Sequence, residues 1–218
     1  MAFRLPNGST FDFAATYSAD VTITGISNAN PAVVSAAGHA FAEGDIVVIT
    51  SGWVKVTGRA FRVGTVAAGT TFTLESLDTT DVTRYPAGTS AGSVKKVETW
   101  VNIPQITGVT SSGGEQQFYT FGFLEEDEDR QLPTTKSPAV LTLTVADDPA
   151  QPYVSVVERA DELKEERVQR LNLVDGSVIL YVSVPSITMT PSLTRSEIMT
   201  RTISLAQQGR ITRYAKKA

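Results

Sequence analysis

Residues 139–145 read AVLTLTV, and their alternation decides the fold class. Leu141, Leu143 and Val145 fall on one side of an extended chain, Thr142 and Thr144 on the other. Successive side chains of a strand point to opposite faces, so this period of two marks a half-buried strand. Upstream, EQQFYTFGFL (115–124) carries the aromatic and bulky residues that suit a pleated surface. Between the two lies EEDEDRQLPTTKSP (125–138), read as a charged loop. Downstream, RLNLV (170–174) and SVILYVSV (177–184) flank Asp175-Gly176, a strong hairpin signal. Pro185 marks an edge or a bend. Ser186, Thr188, Thr190 and Ser192 then alternate with Ile187, Met189 and Leu193, and 198–205 reads as a closing strand.

One helix interrupts this pattern, over about residues 148–166. Asp148 is suited to cap it, and Pro149 suits its first position because that N–H would be orphaned anyway. Tyr153, Val156, Val157, Ala160 and Leu163 make one apolar face. Glu158, Arg159, Asp161, Glu162, Glu165 and Glu166 make the other, so the helix is expected to lie across a sheet.

Residues 21–97 are dense in short strand signals, VTITGI, IVVI, FRVGTV, TFTLESL and SVKKV, separated by Gly-rich turns. Such spacing suggests a small barrel or sandwich. Residues 1–20 hold Phe3, Phe11, Phe13 and Tyr17 with no steady period and read as an arm that packs on a neighbour. Residues 207–218 form a second, basic arm with Arg210, Arg213, Lys216 and Lys217. The expected fold is mostly β. It comprises a sandwich or partial-barrel core (98–206) with one flanking α-helix and a small barrel-like β module (21–97).

Composition excludes several kinds of chemistry. The chain has 218 residues, 41% hydrophobic and 19% charged, enough apolar content for a core. The formal charge of −4 argues against a general nucleic-acid binder. With no cysteine, disulfides, thiolate metal sites and cysteine nucleophiles are impossible. The opening MAFRLPNGST has no basic region followed by an apolar run and does not read as a secretory signal. No stretch approaches the ~18 apolar residues of a membrane span, so no membrane insertion is expected.

His39 is the single histidine, in the turn-like AAGHAFAEGD, with no serine elbow or orienting group in the sequence pattern. No phosphate-binding loop is present. The run Glu125, Glu126, Asp127, Glu128, Asp129 is consecutive and followed by Arg130, unlike a calcium loop with its alternating ligands and glycine. It fits either a solvated loop or a contact loop for a basic surface. Trp53 and Trp100 fit either ligand platforms or packing. The reading is therefore of a non-enzyme with no catalytic, cofactor or metal site.

The order of strand, acidic loop, Thr-alternating strand, helix, Asp-Gly hairpin and closing strands resembles the tail tube (major tail) protein of long-tailed bacteriophages. The opening MAFRLPNGSTFDFAATYSA resembles the arm of such a subunit. The stretch ITGISNANPAVVSAAGHAFAEGDIVVI (23–49) resembles a small β module common in phage structural proteins, and is similar to a small β domain of ubiquitin-activating enzymes. Their activity does not follow, because there is no cysteine.

The resemblance implies hexameric rings stacked into a hollow tube in the virion, assembled in the host cytoplasm. DNA would pass through without specific binding, and the tail tip, tape measure and terminator proteins would be partners. It also implies an inter-ring contact loop at Glu125–Arg130 and Lys136, and arm contacts through Phe3, Phe11, Phe13, Arg210, Arg213, Lys216 and Lys217. Alternatives are a tail-terminator or head–tail connector ring, or a β-rich receptor- or carbohydrate-binding virion protein.

Overall fold

Strand β8 (Gly92–Ile103) is the spine of the computed structural model, which describes residues 7–216. Its first half pairs with β5 (Ile46–Ser51) and with β2 (Val21–Ile23). Its second half pairs with β1 (Thr10–Tyr17). One strand thus carries hydrogen bonding from the N-terminal module into the rest of the chain.

On the module side, β3 (Gly25–Ile26), β4 (Ala32–Ser35), β7 (Thr71–Leu74) and β6 (Arg59–Ala67) continue in that order to β5. Their inward residues form a separate apolar core that includes Trp53, Phe61, Phe72 and Leu74. His39 is buried there, between the rings of Phe41 and Phe72. Its Nδ1 accepts a hydrogen bond from the Phe41 N–H at 3.3 Å. Trp53 is also buried and donates its indole N–H to the Pro86 carbonyl at 2.8 Å. Of the two readings left open for Trp53, the packed one describes it.

On the other side, β1 is followed across the sheet by β13 (Arg167–Asn172), β14 (Val178–Ile187), β15 (Thr200–Gln207), β12 (Val140–Ala146) and β9 (Ile106–Ser112). The fold is mostly β with one helix, as the sequence indicates. AVLTLTV is β12: Leu141, Leu143 and Val145 are buried, and the residues between them are half-buried. β13 and β14 form the hairpin around Asp175-Gly176, where Gly176 has φ +80°. That left-handed conformation carries no Cβ penalty in glycine.

Four expectations are corrected. The stretch from Thr10 to Tyr17 is no arm. It is a central strand between β8 and β13, and Phe11 and Phe13 are buried in the chain's own core. Both faces of β1 are covered, which is why it shows no period of two. Phe11 and Phe13 meet the helix-side core, Ala14 meets the opposite seam, and Asp12 is neutralised by neighbours.

The helix, α1, spans Pro152–Glu162, shorter than 148–166. Pro152 takes the first turn, while Asp148 accepts hydrogen bonds from the Ala150 N–H and the Gln151 side chain just before it. Lys164, at φ +52°, stops the helix. Tyr153, Val154, Val157 and Ala160 are buried, and Leu163 is exposed. Asp161 fastens α1 to the sheet by accepting the Ile187 N–H at 2.9 Å.

The alternation of 186–193 does not continue as a strand, because β14 ends at Ile187. Pro191 has no N–H for a ladder, and Ser192 instead closes a loop onto Thr200.

The C-terminal segment is no free arm either. β16 (Thr212–Tyr214) pairs with β14, and Tyr214 is buried. The Tyr214 hydroxyl accepts the Arg62 N–H at 2.9 Å, and the Arg62 guanidinium lies 4.5 Å over its ring. Burial pushes the Tyr214 pKa up to about 12. Tyr214 belongs to a seam with Ile46, Ala60, Val97 and Leu180 that joins module and core. The tail therefore clasps the two halves of its own chain.

Candidate assembly surface

Two strands stand outside the large sheet. Among the described residues, β10 (Gln116–Phe121) and β11 (Arg130–Lys136) pair only with each other, as an antiparallel hairpin. Every residue of β11 is exposed. The expected loop 125–138 is thus half strand: Arg130 and Lys136 lie at the two ends of β11, with Pro133 in an edge position that demands no N–H.

The hairpin leaves the sheet at Gly113 and Gly114, with φ of +75° and +78°. A Cβ on Gly113 would fall 2.0 Å from the Pro138 carbonyl oxygen, so only glycine lets the two legs approach. An open groove of about 700 Å³ lies at this root, between Lys136–Ala139 and Gln207–Ile211.

The hairpin exposes Phe118, Tyr119, Phe123, Leu124 and Leu132. Tyr119 stacks on Phe121, whose ring meets Phe123 edge-on. Immediately beyond comes the acidic run, Glu125 to Asp129. Arg130 pairs with Glu126, the run's one ion pair among the described residues. No cluster of carboxylates and histidines that could hold a metal occurs among the described residues.

A second exposed apolar segment joins β14 to β15, with Met189, Leu193, Ile198 and Met199. Sequence reasoning assigned part of it to a strand. The register places it far from the hairpin. β12 pairs Val140 with Ala206 and Ser112 at the hairpin end, and Ala146 with Thr200 at the other. Strand β9 closes this side of the sheet and, among the described residues, is unpaired along its outer edge, with Val109 exposed. Large exposed apolar segments and a free strand edge are what a soluble monomer avoids.

The expected contact residues are thus divided. Glu125–Asp129 and Arg130 lie together at the hairpin tip, and Lys136 lies apart from them at its root. Phe11 and Phe13 are core. Arg210, Arg213 and Lys216 lie on the clasp, exposed but on their own chain. Phe3 and Lys217 lie outside the described residues. Trp100 is half-buried, with the Arg170 guanidinium 4.4 Å over its ring.

A buried polar group that sequence reasoning missed fixes the strand order behind this surface. Asp12 accepts from Arg170 at 2.8 Å and Asn172 at 2.7 Å through Oδ2, and from Asn102 at 3.1 Å through Oδ1. Only an acidic residue inside an aromatic stretch, FDF, hints at it.

The model of a protein family described as phage tail tube protein, TTP, matches residues 51–216. The chain belongs to the phage tail tube protein family. It is thus a structural protein of a phage tail or phage-tail-like particle, and its family is not one of enzymes. The match runs from the end of β5 through β6 to β16, including the hairpin and the clasp, and leaves out β1 to β4.

No curated protein sequence matches the chain. Among solved structures, it is similar to an extracellular contractile injection system's PVC sheath/tube terminator in its extended state. Identity is 18% over 52% of this chain and 87% of that one, with a TM-score of 0.40. It is also similar to a chain of the anti-feeding prophage (AFP) baseplate, with 15% identity over 56% and 88% of the two chains and a TM-score of 0.40.

Proposed function

We propose that this tail tube family member assembles into rings of six copies that stack into the hollow tube through which DNA passes. The observation that carries this reading is the β10–β11 hairpin, which leaves the sheet and exposes five large apolar side chains beside an acidic run. In this reading the hairpin, with Glu125–Asp129, Arg130 and Lys136, reaches the adjacent ring. Edge β9 meets a neighbouring subunit, since ring closure removes exposed strand edges. The net charge of −4 favours a bore along which a polyanion slides without sticking. Tail tip, tape measure and terminator proteins are its partners in the virion, after assembly in the host cytoplasm.

Negative-stain microscopy of the purified chain, with sedimentation to size it, tests the proposal. Tubes of stacked rings are expected. Single closed rings that never stack would assign a terminator or connector role instead. A strict monomer at high concentration, even with tail-tip nuclei, would refute ring assembly.

A further inference from the structure

A cleft of about 350 Å³ separates the β5–β6 turn of the module from the segment that leads into the clasp. It is lined by four cations, Lys55, Arg59, Arg84 and Arg210, together with Val54 and Tyr85, and by no carboxylate. Gly209 allows the two walls to approach: a Cβ there would lie 3.1 Å from the Gly58 carbonyl oxygen.

Among the described residues the cations lack close carboxylate partners, and Arg59 instead lies over the Phe61 ring, 4.7 Å from its centroid. Arg59 donates to the Lys55 carbonyl at 3.1 Å and to the Thr212 hydroxyl at 3.3 Å, and no carboxylate pairs with it among the described residues. Its Nε is buried without a hydrogen-bond partner. Burial, and then the positive charge of Arg210, pull the Arg59 pKa below its ordinary value. Arg84 reaches Asp81 only at 4.0 Å, with both side chains largely exposed. Arg59 is half-buried and Lys55, Arg84 and Arg210 are exposed around it, and such a cluster of cations favours an anion between them.

The same chain carries the complementary surplus. Its acidic tip has five consecutive carboxylates and one internal arginine partner. The tip is preceded by exposed Phe123 and Leu124, as Lys55 is preceded by exposed Val54. Charge and apolar neighbour therefore match on both sides. No ion pair links the tip to the cleft within one chain among the described residues.

We infer that the cleft formed by Lys55, Arg59, Arg84 and Arg210 receives the acidic hairpin tip, Glu125–Asp129, of a second copy of this chain. This rests on the reading of the chain as a ring- and tube-forming subunit, and it names the surface that the hairpin meets. The contact is heterologous, joining two different patches, as rings and open stacks require.

A charge swap on the full chain tests it. The tip variant carries Glu125→Lys and Glu128→Lys, and the cleft variant carries Arg84→Glu and Arg210→Glu. All four side chains are exposed, so folding, followed by thermal melting, stays unchanged. Each variant alone is expected to lower the assembled fraction, read by sedimentation and microscopy, at least tenfold. The chain carrying both pairs is expected to recover most of it. A combined variant no better than the single ones, or a tip variant that assembles like the parent, overturns the inference. So does a cleft variant that assembles normally but has lost binding to duplex DNA, which would assign the cleft to nucleic acid. If the parent chain forms neither rings nor tubes, the underlying reading fails. If it assembles and the swap gives no rescue, only this contact fails.

Discussion

Truncating Tyr214 to alanine removes the pin that holds the C-terminal segment across the seam between module and core. The ring is almost wholly buried, at 1% exposure, among Ile46, Ala60, Val97 and Leu180. Losing a buried aromatic ring costs about 3–5 kcal/mol from lost transfer energy and the cavity left behind. The hydroxyl adds a separable part. It satisfies the Arg62 N–H at 2.9 Å, and leaving such a group unpaired costs about 1–3 kcal/mol. Tyr214→Phe is therefore expected to lose roughly a third of what Tyr214→Ala loses.

Urea denaturation of both variants, followed by Trp fluorescence and far-UV circular dichroism, reads the two effects. Trp53 lies in the module and Trp100 in the strand that joins it to the core, so the fluorescence samples both sides of the seam. Hydrogen exchange adds the location: protection should fall first at Val178–Leu180, the partners of β16. A Tyr214→Ala variant within about 1 kcal/mol of the parent, with unchanged exchange at those residues, would refute the clasp.

Three further outcomes follow from the geometry. Burial raises Tyr17 and Tyr214 to about 12 from the ordinary 10. Both prefer the neutral form when folded, so their contribution is complete below pH 10 and lost as pH rises from 10 to 12. The loss is roughly 2–3 kcal/mol each, and urea titrations at pH 8 and 11.5 should show it shrink in Tyr17→Phe. Asp12→Ala leaves the Arg170 guanidinium without its carboxylate and should cost about 3 kcal/mol by chemical denaturation. Gly113→Val meets both a positive φ and the Pro138 carbonyl. It should destabilise the hairpin root by at least about 1–2 kcal/mol and abolish tubes under the microscope.

Legibility in the sequence tracked how each element is buried. β12 was readable because one face is covered and the other half-open, which writes the period of two into AVLTLTV. β1 was unreadable as a strand because four consecutive residues, Phe11 to Ala14, are all buried and leave no alternation. β11 was unreadable for the opposite reason: with every residue exposed, QLPTTK has no inward face to mark. β16 is only three residues long, too short to show a period, and its basic neighbours suggested a free arm. The helix end was set by a left-handed Lys164 with no glycine to announce it. The acidic tip stood out locally. The cleft did not, because its cations come from residues 55–59, 84 and 210 and meet only after folding.

The division between buried and exposed elements also bears on the order of events in assembly. Both apolar cores and the seam between them are built from residues of one chain, so the monomer is expected to fold without a neighbour. The hairpin is different, since a two-stranded ribbon is marginal in water by itself. Its ring contacts, Tyr119 stacked on Phe121 and Phe121 edge-on to Phe123, are a local brace, while Phe118, Leu124 and Leu132 stay exposed. Those side chains contribute little to the monomer, and in the proposed assembly they gain burial against another copy. Phe118→Ser or Leu132→Ser should therefore leave the melting of the monomer within about 0.5 kcal/mol of the parent, yet raise the concentration at which tubes form. An equal loss of monomer stability would place the hairpin inside the folding unit and contradict this order.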